Sequence, residues 1–361
     1  MAADFEGRRA VVQPSKSAAV SAHSGPACAR VHSGAQAGDA DVAHRDGVGV
    51  DVRSLSPRHE EVVRRLADLA ARQDGVVLRA DVLGAGGSVQ LVRSMLGRGE
   101  WHPLLRGSVL LETWRAGGAL QRAWARAAVL TVRGAVLAGP TAAALHDLPA
   151  GPRDGRLHLA CDREVQVGAR PLVVRRCCPG TQEVVDVAGL PVTSRARTLA
   201  DLVPRLDRPD ALALLDAALR SGSAEELVVA SALSAGRPGA VAAADLWALA
   251  DARSESVLES RVRLRCHDGG VPPDDLQVEV RDEHGVLLAR GDMVFRDRRP
   301  ERRGLLLLEA DGAEPHSSPG ALYRDRWRAN ALVALGHDLV RCTWRDTLTP
   351  GAVPAIVRRA L

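Results

Sequence analysis

The chain has 361 residues, 46% hydrophobic and 25% charged, with 48 Lys plus Arg, 44 Asp plus Glu and a formal net charge of +4. That length accommodates two or three domains, each with its own core. No uncharged run reaches the ~18 residues of a membrane span and the N-terminus is not basic then apolar, so a cytoplasmic protein with no membrane partner is expected.

The six cysteines form no CxxC pair, which argues against a disulfide framework or a structural zinc site. Lys16 is the sole lysine, a bias toward arginine that fits a GC-rich coding sequence. The positive excess is local: residues 57–150 hold twelve basic and eight acidic side chains, while the rest of the chain is balanced. A phosphate-facing surface is therefore sought there first.

Residues 1–53 are rich in Ala, Gly, Ser and Val without a sustained period, which suggests a flexible tail or an over-extended start. A first domain is expected over 54–113. Ser56 and Pro57 provide an N-cap and first-turn proline for a helix with the stripe Val62, Leu66, Leu69 and Ala70. A short helix over Arg79–Leu83, a Gly84–Gly87 break, and a third helix from Ser88 to about Leu96 follow. Trp101–Leu111 reads as a hairpin turning at Arg106-Gly107. Three helices and a hairpin are the layout of a winged helix-turn-helix, whose third helix enters the DNA major groove. On that helix Val89, Val92, Met95 and Leu96 are expected inward, and Ser88, Gln90, Arg93, Ser94 and Arg98 are the DNA-facing candidates. A helical adaptor with a solvated polar face is the alternative.

Residues 114–250 form a mixed α/β middle region and helical connector. Strands are expected over 156–161, 171–177 and 183–187, with Ser194 as an N-cap and His146 in a structural role. The turn Gly236–Gly239 and the approach to Ser256 mark the boundary with a last domain, 251–361.

In that domain Leu305–Leu308 is a short apolar run bounded by glycines, consistent with a buried central strand, and it stops at Glu309 and Asp311. The i, i+2 spacing puts both carboxylates on one face, where they need a shared proton or a cation; Mg²⁺ suits carboxylate oxygens. Asp292 lies in the preceding strand-like run and Glu259 on a helix before it. The order from 254 is helix, three strands, helix over 319–335, strand over 338–344, and helix over 347–361, with Trp344 expected in the core. Ser256 and Glu259 also satisfy the capping-box pattern, so Glu259 has both a structural and a site reading. Arg324 and Arg328 share one helix face that can clamp a phosphate or simply be solvated.

The pattern ARGDMVF, LLLEADG, H, YRDRWRANALVALGHDLVRCTW resembles the DUF559 group, related to very-short-patch repair endonucleases of the PD-(D/E)xK type. That resemblance implies a restriction-endonuclease-like α-β-β-β-α-β core, hydrolysing DNA with Mg²⁺ or Mn²⁺ held by Asp292, Glu309 and Asp311. It also implies a helix glutamate, Glu259, beside the metal. The family's usual Lys is replaced by Asp311, and His316 is the candidate general base or else a loop histidine. The stretch 72–111 and the middle block are similar to AbiEi-type antitoxins, which implies a DNA-binding regulator and a nucleotidyltransferase-type toxin or its operon as partner. The expected fold class is thus α+β and multidomain, with a choice between a nuclease and a non-catalytic regulator.

Overall fold

The computed structural model describes residues 12–13, 56–111, 119–149, 154–163, 165, 172–222, 224–296, 304–312 and 319–361. Among the described residues the protein is mixed α+β with three sheets, and the chain divides into two compact units, Lys16–Arg133 and Gly134–Leu361, the latter together with Met1–Ser15. Among the described residues no helix is long and apolar enough to cross a membrane. The first described strand, β1 (Val12–Gln13), belongs to the second unit.

The first unit begins with α1 (Pro57–Ala71), where Pro57 fixes the first turn and Val62, Val63, Leu66 and Ala70 are buried. Next come β2 (Val76–Leu78), α2 (Arg79–Gly84), α3 (Val89–Gly97), β3 (Trp101–Pro103) and β4 (Ser108–Leu111). The sheet order is β2-β4-β3, antiparallel throughout. The hairpin turns at Arg106-Gly107, where Gly107 takes φ 83° and Ser108 Oγ accepts from the Leu105 N–H at 3.0 Å. Trp101, Leu66 and Met95 are its largest fully buried side chains; burying each such group stabilises by about 1.5–3 kcal/mol. Helix α4 (Ala119–Thr131) packs here too: Arg122 and Arg126 bind the two carboxylate oxygens of Asp74 at 3.0 and 2.9 Å. The first compact unit runs on through α4 to Arg133.

The second unit opens with β5 (Val136–Leu137), α5 (Gly139–Leu145), β6 (Leu157–Cys161), β7 (Leu172–Arg176), β8 (Val184–Val187) and β9 (Leu190–Thr193). They form a mixed sheet of order β7-β6-β5-β9-β8. Ser194 caps α6 (Arg195–Leu202) by accepting from Arg197 N–H, and His146 Nε2 meets Thr193 O at 2.7 Å, a structural contact. Helices α7 (Arg208–Ser221), α8 (Ala224–Ser234) and α9 (Leu246–Leu249) lead to α10 (Val257–Asp268).

Helix α10 is fastened to α7 by two buried ion pairs. Arg263 makes a bidentate pair with Asp216 at 2.8 and 2.7 Å and also donates to Leu249 O and Ser254 Oγ. Arg261 binds Asp210 at 2.7 Å and lies over the Trp344 ring at 4.6 Å. The turn-rich stretch before α10 is thus bridged by buried charge pairs, so residues on both sides of position 250 pack as one body.

The last sheet has the order β1-β10-β11-β12-β13, built from β10 (Asp275–Arg281), β11 (Leu287–Arg296), β12 (Leu305–Ala310) and β13 (Asp338–Cys342). β10, β11 and β12 run antiparallel in turn, while β12 and β13 are parallel, with α11 (Pro319–Ala334) between them in the chain. Leu306–Leu308 are buried, as the apolar run foretold. Gly304 permits close approach of β12 to the end of α11, because a Cβ there would stand 1.7 Å from Gly336 O. The expected helix over 347–361 is two: α12 (Trp344–Thr347) and α13 (Ala352–Ala360), separated at Pro350-Gly351. Trp344 is 48% exposed rather than in the core, held at the surface by the Arg261 guanidinium.

Candidate functional site

Two groups of residues carry the functional expectations, and each is set by its own unit. On α3 the N-cap is Ser88, whose Oγ accepts from Leu91 N–H at 3.1 Å, so its side chain is committed to the helix start. Leu91, Val92 and Met95 are buried; Val89 and Leu96, expected inward, are only partly so, because the first turn of α3 presents Leu91 to the core. Gln90, Arg93 and Ser94 are exposed along the opposite face. Arg98 is also exposed, with Nη2 3.2 Å from Met95 Sδ and Nε 3.2 Å from Glu100.

The acidic group lies on the last sheet. Asp292 is on β11, and continuing the β11–β12 register by one pair brings it opposite Glu309 on β12. Asp292 Oδ2 accepts from the Ala310 N–H at 2.8 Å. Burial pushes the Asp292 carboxyl up to about 6, opposed by that hydrogen bond and by Arg290 and reinforced by the charges of Glu259 and Glu309. Glu309 Oε2 accepts from Arg341 Nε at 3.0 Å, Arg341 being its register neighbour on β13.

Glu259 is buried on the first turn of α10. Its N–H donates to the Ser256 cap, while its Oε2 accepts from Glu255 N–H at 2.7 Å and from Gln277 Nε2 at 2.8 Å. The carboxylate thus ties down the backbone one residue before the Ser256 N-cap, rather than the N-cap N–H itself, and its charge acts on Asp292. Asp311 lies just past β12 and is exposed; its N–H donates to Cys342 O at 2.9 Å. Among the described residues no three His, Cys, Asp or Glu side chains stand together as a complete metal cage. His316 lies outside the described residues. On α11 Arg328 is exposed, and the side chain of Arg324 lies outside those described.

Gln277, Arg290 and Arg341 were not among the residues expected at this site. Each enters through strand pairing: Gln277 and Arg290 from the β10–β11 ladder, Arg341 from the parallel β12–β13 pair. Arg290 also pairs with Glu255, next to the backbone that Glu259 holds.

No family model matches the chain. Two uncharacterized proteins of Mycobacterium tuberculosis, Rv2248 of strain H37Rv and MT2308 of strain CDC 1551, are 37% identical to it over 178 residues. The match covers 48% of this chain and 63% of theirs. A crystal structure of the RV2827C protein from the same species is similar over 53% of this chain and 82% of that one, at 20% identity and a TM-score of 0.35, a likeness too slight to carry an assignment.

Proposed function

We propose that this is a DNA-acting protein whose first unit docks on duplex DNA and whose second unit hydrolyses phosphodiester bonds with a divalent ion. The observation that carries the reading is the Asp292 carboxyl: half-buried, raised to about 6 and flanked by the charges of Glu259 and Glu309. Such clustered carboxylates resist ionisation unless a cation joins them. The strand order β10-β11-β12-β13, with α10 before and α11 within, supports the PD-(D/E)xK-like core that the sequence resembles.

The residues present suit Mg²⁺ or Mn²⁺, a hard ion that prefers oxygen ligands and keeps part of its water shell. Asp292 and Glu309 would hold it, with Asp311 at the strand end as a candidate third carboxylate. When bound, the ion supplies Lewis-acid polarisation of the phosphate and a water of lowered pKa. Arg341 would hold Glu309 in place, and Arg290, ion-paired to Glu255, keeps positive charge near the row where the resembled family has a lysine. In the first unit, three helices followed by a β-hairpin support a winged helix-turn-helix. Gln90, Arg93 and Ser94 are exposed for base and phosphate contact, and Ser88 serves as the cap.

The Arg341–Glu309 ion pair also favours a second reading, since it neutralises a carboxylate that a metal would need. Under that reading the protein is a non-catalytic, AbiEi-like regulator, partnered by a nucleotidyltransferase-type toxin. Supercoiled plasmid and single-stranded RNA, each incubated with wild type or Glu309→Ala in Mg²⁺ or Mn²⁺, separate the two. The nuclease reading expects cleavage of plasmid by wild type alone. Cleavage of RNA alone makes it an RNA nuclease, and no cleavage of either leaves the regulator.

A further inference from the structure

Gln277 on β10 is the most unusual residue near the acidic row. Its φ of 56° lies in the left-handed region, inside a strand, where a residue with a side chain is strained. The side chain is 3% exposed. Its Nε2 donates to Glu259 Oε2 at 2.8 Å, which makes the other carboxamide atom, Oε1, an acceptor; that oxygen is buried and has no partner. Reversing the amide would set oxygen against carboxylate. The flanking pairs Leu276–Met293 and Val278–Gly291 place Gln277 across the ladder from Asp292.

An unpaired buried acceptor is unfavourable, because it has given up its water without gaining a donor. Here its neighbours make matters worse, because Glu259, Asp292 and Glu309 are also acceptors when ionised. The nearby donors are engaged: Ala310 N–H on Asp292 at 2.8 Å, Arg341 on Glu309 at 3.0 Å and Glu255 N–H on Glu259 at 2.7 Å. With those donors engaged, Gln277 Oε1 lacks a donor of its own, and a hydrated divalent ion, a cation that carries several water hydrogens, would supply one. Among the described residues no three carboxylates converge on one point, so an ion held by Asp292 and Glu309 would keep water in its shell, and that water needs an acceptor.

We propose that Gln277 is a positioning residue of a hydrated divalent-cation site, fixing Glu259 through its amide N–H and receiving a cation-bound water on Oε1. The assignment rests on the metal-dependent reading given above. It explains why a strained backbone is retained there: the left-handed turn at 277 brings the carboxamide to Glu259 while the flanking residues keep their pairing.

The test is calorimetric titration of Mn²⁺ into the full chain, using wild type, Gln277→Met, Gln277→Glu and Glu309→Ala, with the thermal midpoint of each measured in chelator. Loss of an outer-sphere partner should weaken Mn²⁺ binding about 10–100-fold in Gln277→Met. Gln277→Glu, which retains an oxygen for the water but loses the N–H that fixes Glu259, should bind Mn²⁺ more tightly than Gln277→Met. Should Gln277→Met fail to fold, Gln277→Gly, at ease with positive φ, carries the same expectation. Wild-type affinity in the Met or Gly variant, with a lowered midpoint, would show a purely structural glutamine and overturn this assignment alone. Absence of saturable Mn²⁺ binding in wild type, or unchanged binding in Glu309→Ala, would overturn the metal reading and the Gln277 assignment with it.

Discussion

The exposed face of α3 and the acidic row on the last sheet are held in place by opposite means. Gln90, Arg93 and Ser94 stand in solvent on a helix whose other side packs Leu91, Val92 and Met95, so each can change without disturbing the fold. Glu259, Asp292 and Gln277 are buried or half-buried, share hydrogen bonds and charge, and sit on elements that depend on distant partners. A surface site costs its fold little, whereas a buried polar site requires rigid support to keep unfavourable groups together.

That contrast is broken most severely at the support of α10. Asp216→Ala would leave the Arg263 guanidinium buried without its bidentate partner, at a cost of about 3–5 kcal/mol, and the second unit should melt well before the first in calorimetry. A single unchanged transition would show that α7 does not hold α10. For the same reason a fragment starting near residue 251 would strand Arg261 and Arg263 and is unsuitable for testing the site.

A smaller effect of opposite sign is expected at Asp292. Its carboxyl is raised from 3.8 to about 6 in the fold, so between those values the folded state binds a proton that the unfolded chain has released. Stability therefore falls as pH rises through this window, and the loss is complete above it. Asp292→Asn, which still accepts from Ala310 N–H, should be more stable than wild type at pH 7.5 in chelator, by on the order of 1–2 kcal/mol after allowance for partial exposure. Below pH 4 the advantage should vanish. Equal denaturant midpoints across the range would mean that Asp292 is not strained.

On α3 the change is in binding rather than stability. Arg93→Ala should alter stability by less than about 0.5 kcal/mol while lowering duplex affinity and reducing the slope of log affinity against log salt by about 1. Fluorescence anisotropy with a labelled duplex measures both. An unchanged slope removes Arg93 from the phosphate contacts.

Much of this was legible in sequence wherever the signal is local. Ser88 and Ser194 announced their helices, Arg106-Gly107 its hairpin, and Leu305–Leu308 the buried strand that carries Glu309 near its end. What stayed hidden depends on pairing between distant residues. Counting along the ladder from the Arg281–Leu287 pair would set Leu276 against Asp292, but the register slips between Val280 and Arg281, and the slip brings Gln277 there instead. Arg341 reaches Glu309 only because β13 lies parallel beside β12. The Asp210–Arg261 and Asp216–Arg263 pairs join helices across a stretch that composition reads as a domain boundary. Glu259 had two readings because a capping box and a site glutamate ask for the same residue at the same place, and only the position of Gln277 shows where the carboxylate turns.

Asp292 is proposed to belong to a divalent-cation site. Titrating Mg²⁺ into full-length wild type and Asp292→Asn at pH 7.5 by calorimetry tests it directly, with equal folding of the two verified by their melting in chelator. Wild type should give a saturable heat, with affinity lost or reduced at least about tenfold in Asp292→Asn. Identical isotherms, or no binding heat in either protein, would contradict it.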